Sequence, residues 1–118
     1  MATPNIANVV TIKPVMKVGE LTTSYADLCD VPAESCMKIE SIYVSNVDGT
    51  NTATAEITIS TDNGSSNYGI CKDLVVPPGA TIGILTTPLF LDETDLIKGK
   101  ASAASDIQWF ISGTELID

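Results

Sequence analysis

The chain has 118 residues, enough for one compact domain with its own core, and 13 Ile, 9 Val and 14 Thr make it rich in β-branched residues, which predicts an all-β fold. Fifteen Asp and Glu face six cations, all of them lysine, for a net charge of −9; without a basic face to neutralise phosphates, nucleic-acid binding is argued against. Histidine is absent, which removes the Ser-His and Cys-His catalytic pairs and most zinc or transition-metal sites.

Met1 to Ile6 has neither the basic start nor the apolar run of a signal peptide, and no segment approaches the roughly 18 apolar residues of a membrane span. A cytoplasmic protein with no membrane partner is therefore expected. Cys29, Cys36 and Cys71 are odd in number and match no zinc or redox spacing, so they read as reduced, partly buried small hydrophobes. Residues 1–8 carry Pro4 and two Asn with no alternation and are expected to form an extended arm, leaving 9–118 as a single domain.

From Val9 to Val18, apolar residues at 10, 12, 16 and 18 alternate with Lys13 and Lys17, which is strand patterning. Pro14 shares the apolar parity and, lacking an N–H, argues for an edge strand or a bend. Leu21 to Val31 is read as a strand followed by a turn. Asp30 to Ser35 is a turn by composition, and Cys36 to Val47 is a strand whose parity changes between Ile39 and Ile42, as a bulge near Ser41 requires. Asp48-Gly49 is a strong hairpin signal and leads into a strand with Ala53, Ala55, Ile57 and Ile59 on one face, so these two strands are expected to pair.

Thr61 to Asn67 is a second turn, in which Gly64 is expected at positive φ. A strand from Tyr68 to Val76 follows, ended by Pro77-Pro78-Gly79-Ala80. Thr81 to Leu91 is apolar and interrupted by Pro88, Asp92 to Asp95 turns the chain, and strands are predicted from Leu96 through Ala103 and from Ile107 through Ser112. Seven or eight strands about ten residues apart describe an antiparallel β-sandwich, jelly-roll-like or immunoglobulin-like.

Chemistry-bearing clusters are sparse. Asp92, Glu93 and Asp95 offer oxygen ligands but lack the spacing and glycine of a calcium loop, and they read as a solvated turn. Gly64-Ser65-Ser66 is not a nucleophile elbow, and only carboxylates or lysines could serve as a base. With six aromatic residues, little is available to stack sugars in a cleft. No catalytic residue, cofactor or metal ligand is assigned. Trp109 shares parity with Ile107 and Ile111 and is expected in the core. Phe110 points the other way, into a partner interface or under the second sheet. Leu89-Phe90-Leu91 poses the same question, because three consecutive apolar residues cannot all face one core.

The run Val75-Val76-Pro77-Pro78-Gly79-Ala80-Thr81, then Pro88-Leu89-Phe90-Leu91-Asp92-Glu93-Thr94-Asp95-Leu96-Ile97, then Ala101-Ser102-Ala103-Ala104-Ser105-Asp106-Ile107 resembles the turns of small all-β virion proteins of tailed bacteriophages. Ile42-Tyr43-Val44-Ser45-Asn46, with the Asn opening a hairpin, and the acidic Glu115 near the end of the last strand are similar to the same family, so the likeness runs from about Ile39 to Glu115. The resemblance implies a non-enzymatic structural protein of the virion, assembled in the host cytoplasm, and most simply a capsid decoration or cement protein on the major capsid protein. Homo-oligomers are implied, a trimer suiting threefold positions. A neck or tail adaptor or fibre anchor is the alternative within the family, and a soluble carbohydrate- or receptor-binding module is the alternative outside it. The expected partner contacts are Thr3, Pro4, Asn5 and Ile6 in the arm, with Leu89, Phe90 and Phe110 on the body.

Overall fold

The structure is a computed structural model and describes residues 10–85 and 87–118. The arm proposed for residues 1–8 lies outside the described residues. Nine strands follow one another, with no helix among the described residues: β1 Thr11–Glu20, β2 Ala26–Asp30, β3 Ser35–Asn46, β4 Ala53–Ser60, β5 Tyr68–Val76, β6 Thr81–Gly83, β7 Leu89–Leu91, β8 Leu96–Ala101 and β9 Ile107–Ile117. They form two antiparallel sheets. One has the order β1-β9-β3-β6, with β7 also pairing β3, and the other the order β2-β8-β4-β5. The all-β sandwich expected from β-branched content is present; the ninth strand arises because Thr81–Leu91 splits into β6 and β7.

The core lies between the sheets. Val15, Met37, Ile39, Ile42, Val44, Leu91, Ile107, Trp109 and Ile111 face it from the first sheet, and Leu28, Ala53, Ala55, Ile57, Val76, Ile97 and Ala101 from the second. Each buried Ile, Leu or Val contributes about 1.5–3 kcal/mol relative to exposure, so these strands dominate the stability. Trp109 is buried beside Ile107 and Ile111, as its parity requires.

One bulge makes β3 work as a core strand along its whole length. The β3–β9 register shifts between Ile39 and Ser41, leaving Glu40 unpaired opposite Gly113 and Ser112. Without that extra residue, Met37 and Ile39 would face in and Ile42 and Val44 out. With it, all four are buried.

The expected β3–β4 hairpin is not formed. β3 belongs to the first sheet and β4 to the second, so Val47 to Thr52 crosses between sheets. The type I′ turn favoured by Asp-Gly needs positive φ at both residues, and neither Asp48 nor Gly49 has it. Asp48 instead uses its carboxylate locally: Oδ1 accepts from the N–H groups of Thr50 at 2.8 Å and Asn51 at 3.2 Å. Those bonds hold the Asp48 carboxyl below the usual carboxylate range. Asn46 closes the crossing. Its Nδ2 donates to the carbonyls of Asn51 and Val76, both at 2.9 Å, and its Oδ1 accepts from Asp48 N–H at 2.9 Å. The hairpin that does form joins β4 to β5 across Asn63 and Gly64, both at positive φ.

Three further readings are corrected. The strand in Leu21–Val31 is confined to Ala26–Asp30, and the one opening at Leu96 stops at Ala101 before Ala103. The acidic turn is not solvated, because Glu93 and Asp95 are buried. Glu93 Oε2 accepts from Glu34 N–H at 2.8 Å and so ties the β2–β3 turn to the β7–β8 turn, while Asp95 Oδ2 accepts from Asp92 N–H at 2.8 Å and closes the β7–β8 turn on itself. Among the described residues no cluster of potential ligands could hold a metal ion.

Candidate docking surface

Most apolar residues of β1 face solvent. Val15 is its one buried residue, while Ile12 is 70% exposed, Met16 57% and Val18 58%. The alternation that makes β1 a strand therefore turns its apolar side away from the core, and Lys13, Val15 and Lys17 take the inner side.

Register carries that stripe across the sheet. Val18 lies beside Phe110, and Phe110 beside Tyr43; Met16 lies beside Ser112, and Ser112 beside Ser41. Pro14 neighbours Thr114, then Lys38, then Phe90, while Ile12 neighbours Leu116 and Cys36. The half-buried Phe110 and Tyr43 rings stack at 5.0 Å between centroids with 19° between their planes. Phe90 is 65% exposed. Single exposed apolar residues are ordinary on soluble proteins, whereas several gathered on one side of a sheet point to an interaction surface.

Charge is nearly absent here. Among the described residues at these outward positions the charged ones are Glu20 and Lys38, and Lys38 pairs with Glu40 of the bulge at 3.7 Å. The outer side of the second sheet contrasts with it. There Lys98 pairs with Asp27 at 4.0 Å, and Lys100 lies 4.8 Å from the centre of the Tyr25 ring. The Tyr25 hydroxyl donates to Glu56, and that bond, with smaller contributions from burial and the Glu56 charge, pushes the phenol up to about 12. A shallow cavity of about 320 Å³ borders this group, lined in part by Glu56, Asp73 and Lys100.

Of the residues expected to meet a partner, Phe90 and Phe110 share the outer face of the first sheet although 20 positions separate them in sequence. Leu89 is directed inward and packs against the core. Thr3, Pro4, Asn5 and Ile6 lie outside the described residues. Sequence reasoning missed Ile12, Met16, Val18 and Tyr43 as members of the face. The opposite parity of Lys13 and Lys17 invites the wrong side of β1, and Tyr43 joins Phe110 only because the Glu40 bulge shifts its parity. Burial pushes the Cys29, Cys36 and Cys71 thiols up, away from thiolate.

No protein-family model matches the chain, and no curated protein matches it. Among solved structures, a chain of the acidic stable capsid structure of Helicobacter pylori bacteriophage KHP30 is similar over 92% of this chain and 90% of its own, with a TM-score of 0.53 and 8% identity. A pentameric capsid protein isolated from metagenomic phage sequences is similar over 86% of this chain and 60% of its own, with a TM-score of 0.38 and 12% identity. The first is a likeness of fold over nearly the full length of both chains; the second is too distant to carry an argument.

Proposed function

We propose that the protein is a non-enzymatic structural component of a tailed-phage virion, a decoration protein that docks on the major capsid protein. The observation that carries the docking role is the sparsely charged outer face of the first sheet, where Ile12, Met16, Val18, Tyr43, Phe90 and Phe110 share one side on a chain of net charge −9. A likeness of fold to a chain from a phage capsid, over 92% of this chain, supports the setting. An acidic body is repelled by packaged DNA, which suits the outside of a capsid. Residues 1–8, with Thr3, Pro4, Asn5 and Ile6, serve in this reading as an arm on a neighbour, Phe90 and Phe110 as anchors, and Leu89 as support beneath Phe90. Assembly as a homo-oligomer belongs to the same reading, with trimers suited to threefold positions.

Particles lacking the protein, mixed with purified chain and sedimented, test the proposal. Val18→Lys and Phe90→Lys alter exposed side chains and should change stability by no more than about 0.5 kcal/mol. Each should weaken docking by about tenfold or more, because it would place an unpaired charge in an apolar contact. Deleting residues 1–8 should leave a folded chain that no longer docks. Docking at wild-type levels by both lysine variants would remove the face from the interface, and normal docking by the truncated chain would remove the arm.

A further inference from the structure

β1 has one neighbour among the described residues, β9, and none of them pairs with its other edge. Leu21 N–H donates to Ile107 O at 2.8 Å, on the same register that pairs Glu20 with Gln108. Backbone groups of an antiparallel strand alternate in direction, so the odd-numbered residues of β1 bond to β9 and the even ones turn outward. Ile12, Met16, Val18 and Glu20 thus present N–H and C=O groups along the free edge. Pro14 falls on the same parity, so its missing donor costs β9 nothing.

Beside this edge an open groove of about 380 Å³ runs toward the second sheet, with buried Val15 and Met37 below and Lys13, Lys17, Asp30 and Glu115 around it. Lys13 is paired with Glu115 at 3.6 Å, whereas Lys17 has no ion pair among the described residues. A second copy is a poor occupant. Pro14 would remove two hydrogen bonds from a twofold pairing, and pairing centred on Val15 sets Lys13 opposite Lys17 of the other copy.

We propose that β1 accepts an added strand from a partner protein: an extended segment with apolar side chains at alternate positions and a carboxylate between them facing Lys17. Its apolar side would continue the face formed by Ile12, Met16 and Val18, its backbone would bond to the outward N–H and C=O groups, and Lys17 would gain a counter-charge. This goes beyond the virion reading and stands without it, since it concerns the purified chain alone.

The test is amide hydrogen exchange on the purified chain, with and without a capped nine-residue peptide alternating valine and glutamate. In the free chain the Ile12, Met16 and Val18 amides should exchange fast while those of Val15 and Lys17, bonded to β9, exchange slowly. Millimolar peptide should protect the first three. Lys17→Glu should weaken binding by about tenfold, as expected when an attractive cross-strand pair becomes repulsive. Met16→Pro should reduce the protection of the Ile12 and Val18 amides by removing an outward donor between them. Equal protection by a valine–lysine peptide, no protection with the glutamate peptide, or edge amides already slow in the free chain would each overturn the proposal.

Discussion

Gly113→Ala is expected to destabilise the fold by about 3 kcal/mol or more, with the melting temperature falling by about 10 °C or more. A Cβ built at Gly113 lies 2.1 Å from the Lys38 carbonyl oxygen and 3.0 Å from the Ile39 Cα. Both are backbone atoms of β3 at the start of the bulge, and neither can rotate away. β9 is held between β1 and β3, so it cannot retreat without loosening a ladder. Space, not φ, requires glycine here, since Gly113 is not among the residues at positive φ. The control is Gly83→Ala on β6, where a Cβ meets nothing within 4 Å and the effect should stay within about 0.5 kcal/mol. Chemical denaturation of both variants checks the difference. Equal stability would mean that the bulge can move, and the account of how β3 buries both halves of its apolar pattern would fail.

Asn46→Leu is expected to cost about 3 kcal/mol despite adding apolar surface. Asn46 is 1% exposed and satisfies three backbone groups at the point where the chain changes sheets. Leucine would leave the Val76 and Asn51 carbonyls and the Asp48 N–H without these partners, and a buried polar group left unpaired costs about 1–3 kcal/mol. Asn46→Asp separates hydrogen bonding from shape. Its carboxylate would face two carbonyls in a buried site, which raises its pKa and favours the neutral form. A group whose folded pKa is raised contributes stability at low pH that is lost as pH rises through the folded value. The Asp variant should therefore lie closer to wild type at pH 4 than at pH 7, whereas the Leu variant should keep the same deficit at both. Denaturation at the two pH values distinguishes them, and a pH-independent Asp variant would contradict the bonding assigned to Asn46.

The elements were legible where local periodicity decides them. β3, β4 and β5 fall close to their expected limits, because apolar runs of strand length bounded by turn residues have few other solutions. The bulge was legible as a parity change. Pairing was not. Asp48-Gly49 carries the local chemistry of a hairpin, but the buried faces of β3 and β4 serve opposite sides of one core, and Asn46 and Asp48 absorb the backbone groups that a hairpin would have paired. Burial of Glu93 and Asp95 was invisible for the same reason, since the N–H that Glu93 accepts belongs to Glu34, far away in sequence. The candidate face was half legible. Phe90 and Phe110 stand out as apolar residues of the wrong parity, but their shared surface depends on β7 and β9 both pairing with β3.

The central claim, a virion protein arrayed over the capsid surface, is tested most directly by quantitative mass spectrometry of purified particles. The number to measure is copies of this chain relative to the major capsid protein. The account predicts a near-stoichiometric ratio, with copies in the hundreds, as expected when one docking contact repeats with the capsid lattice. A count on the order of ten would contradict it in favour of a neck or tail position, where ring symmetry sets the number, and absence from the particles would end the virion reading.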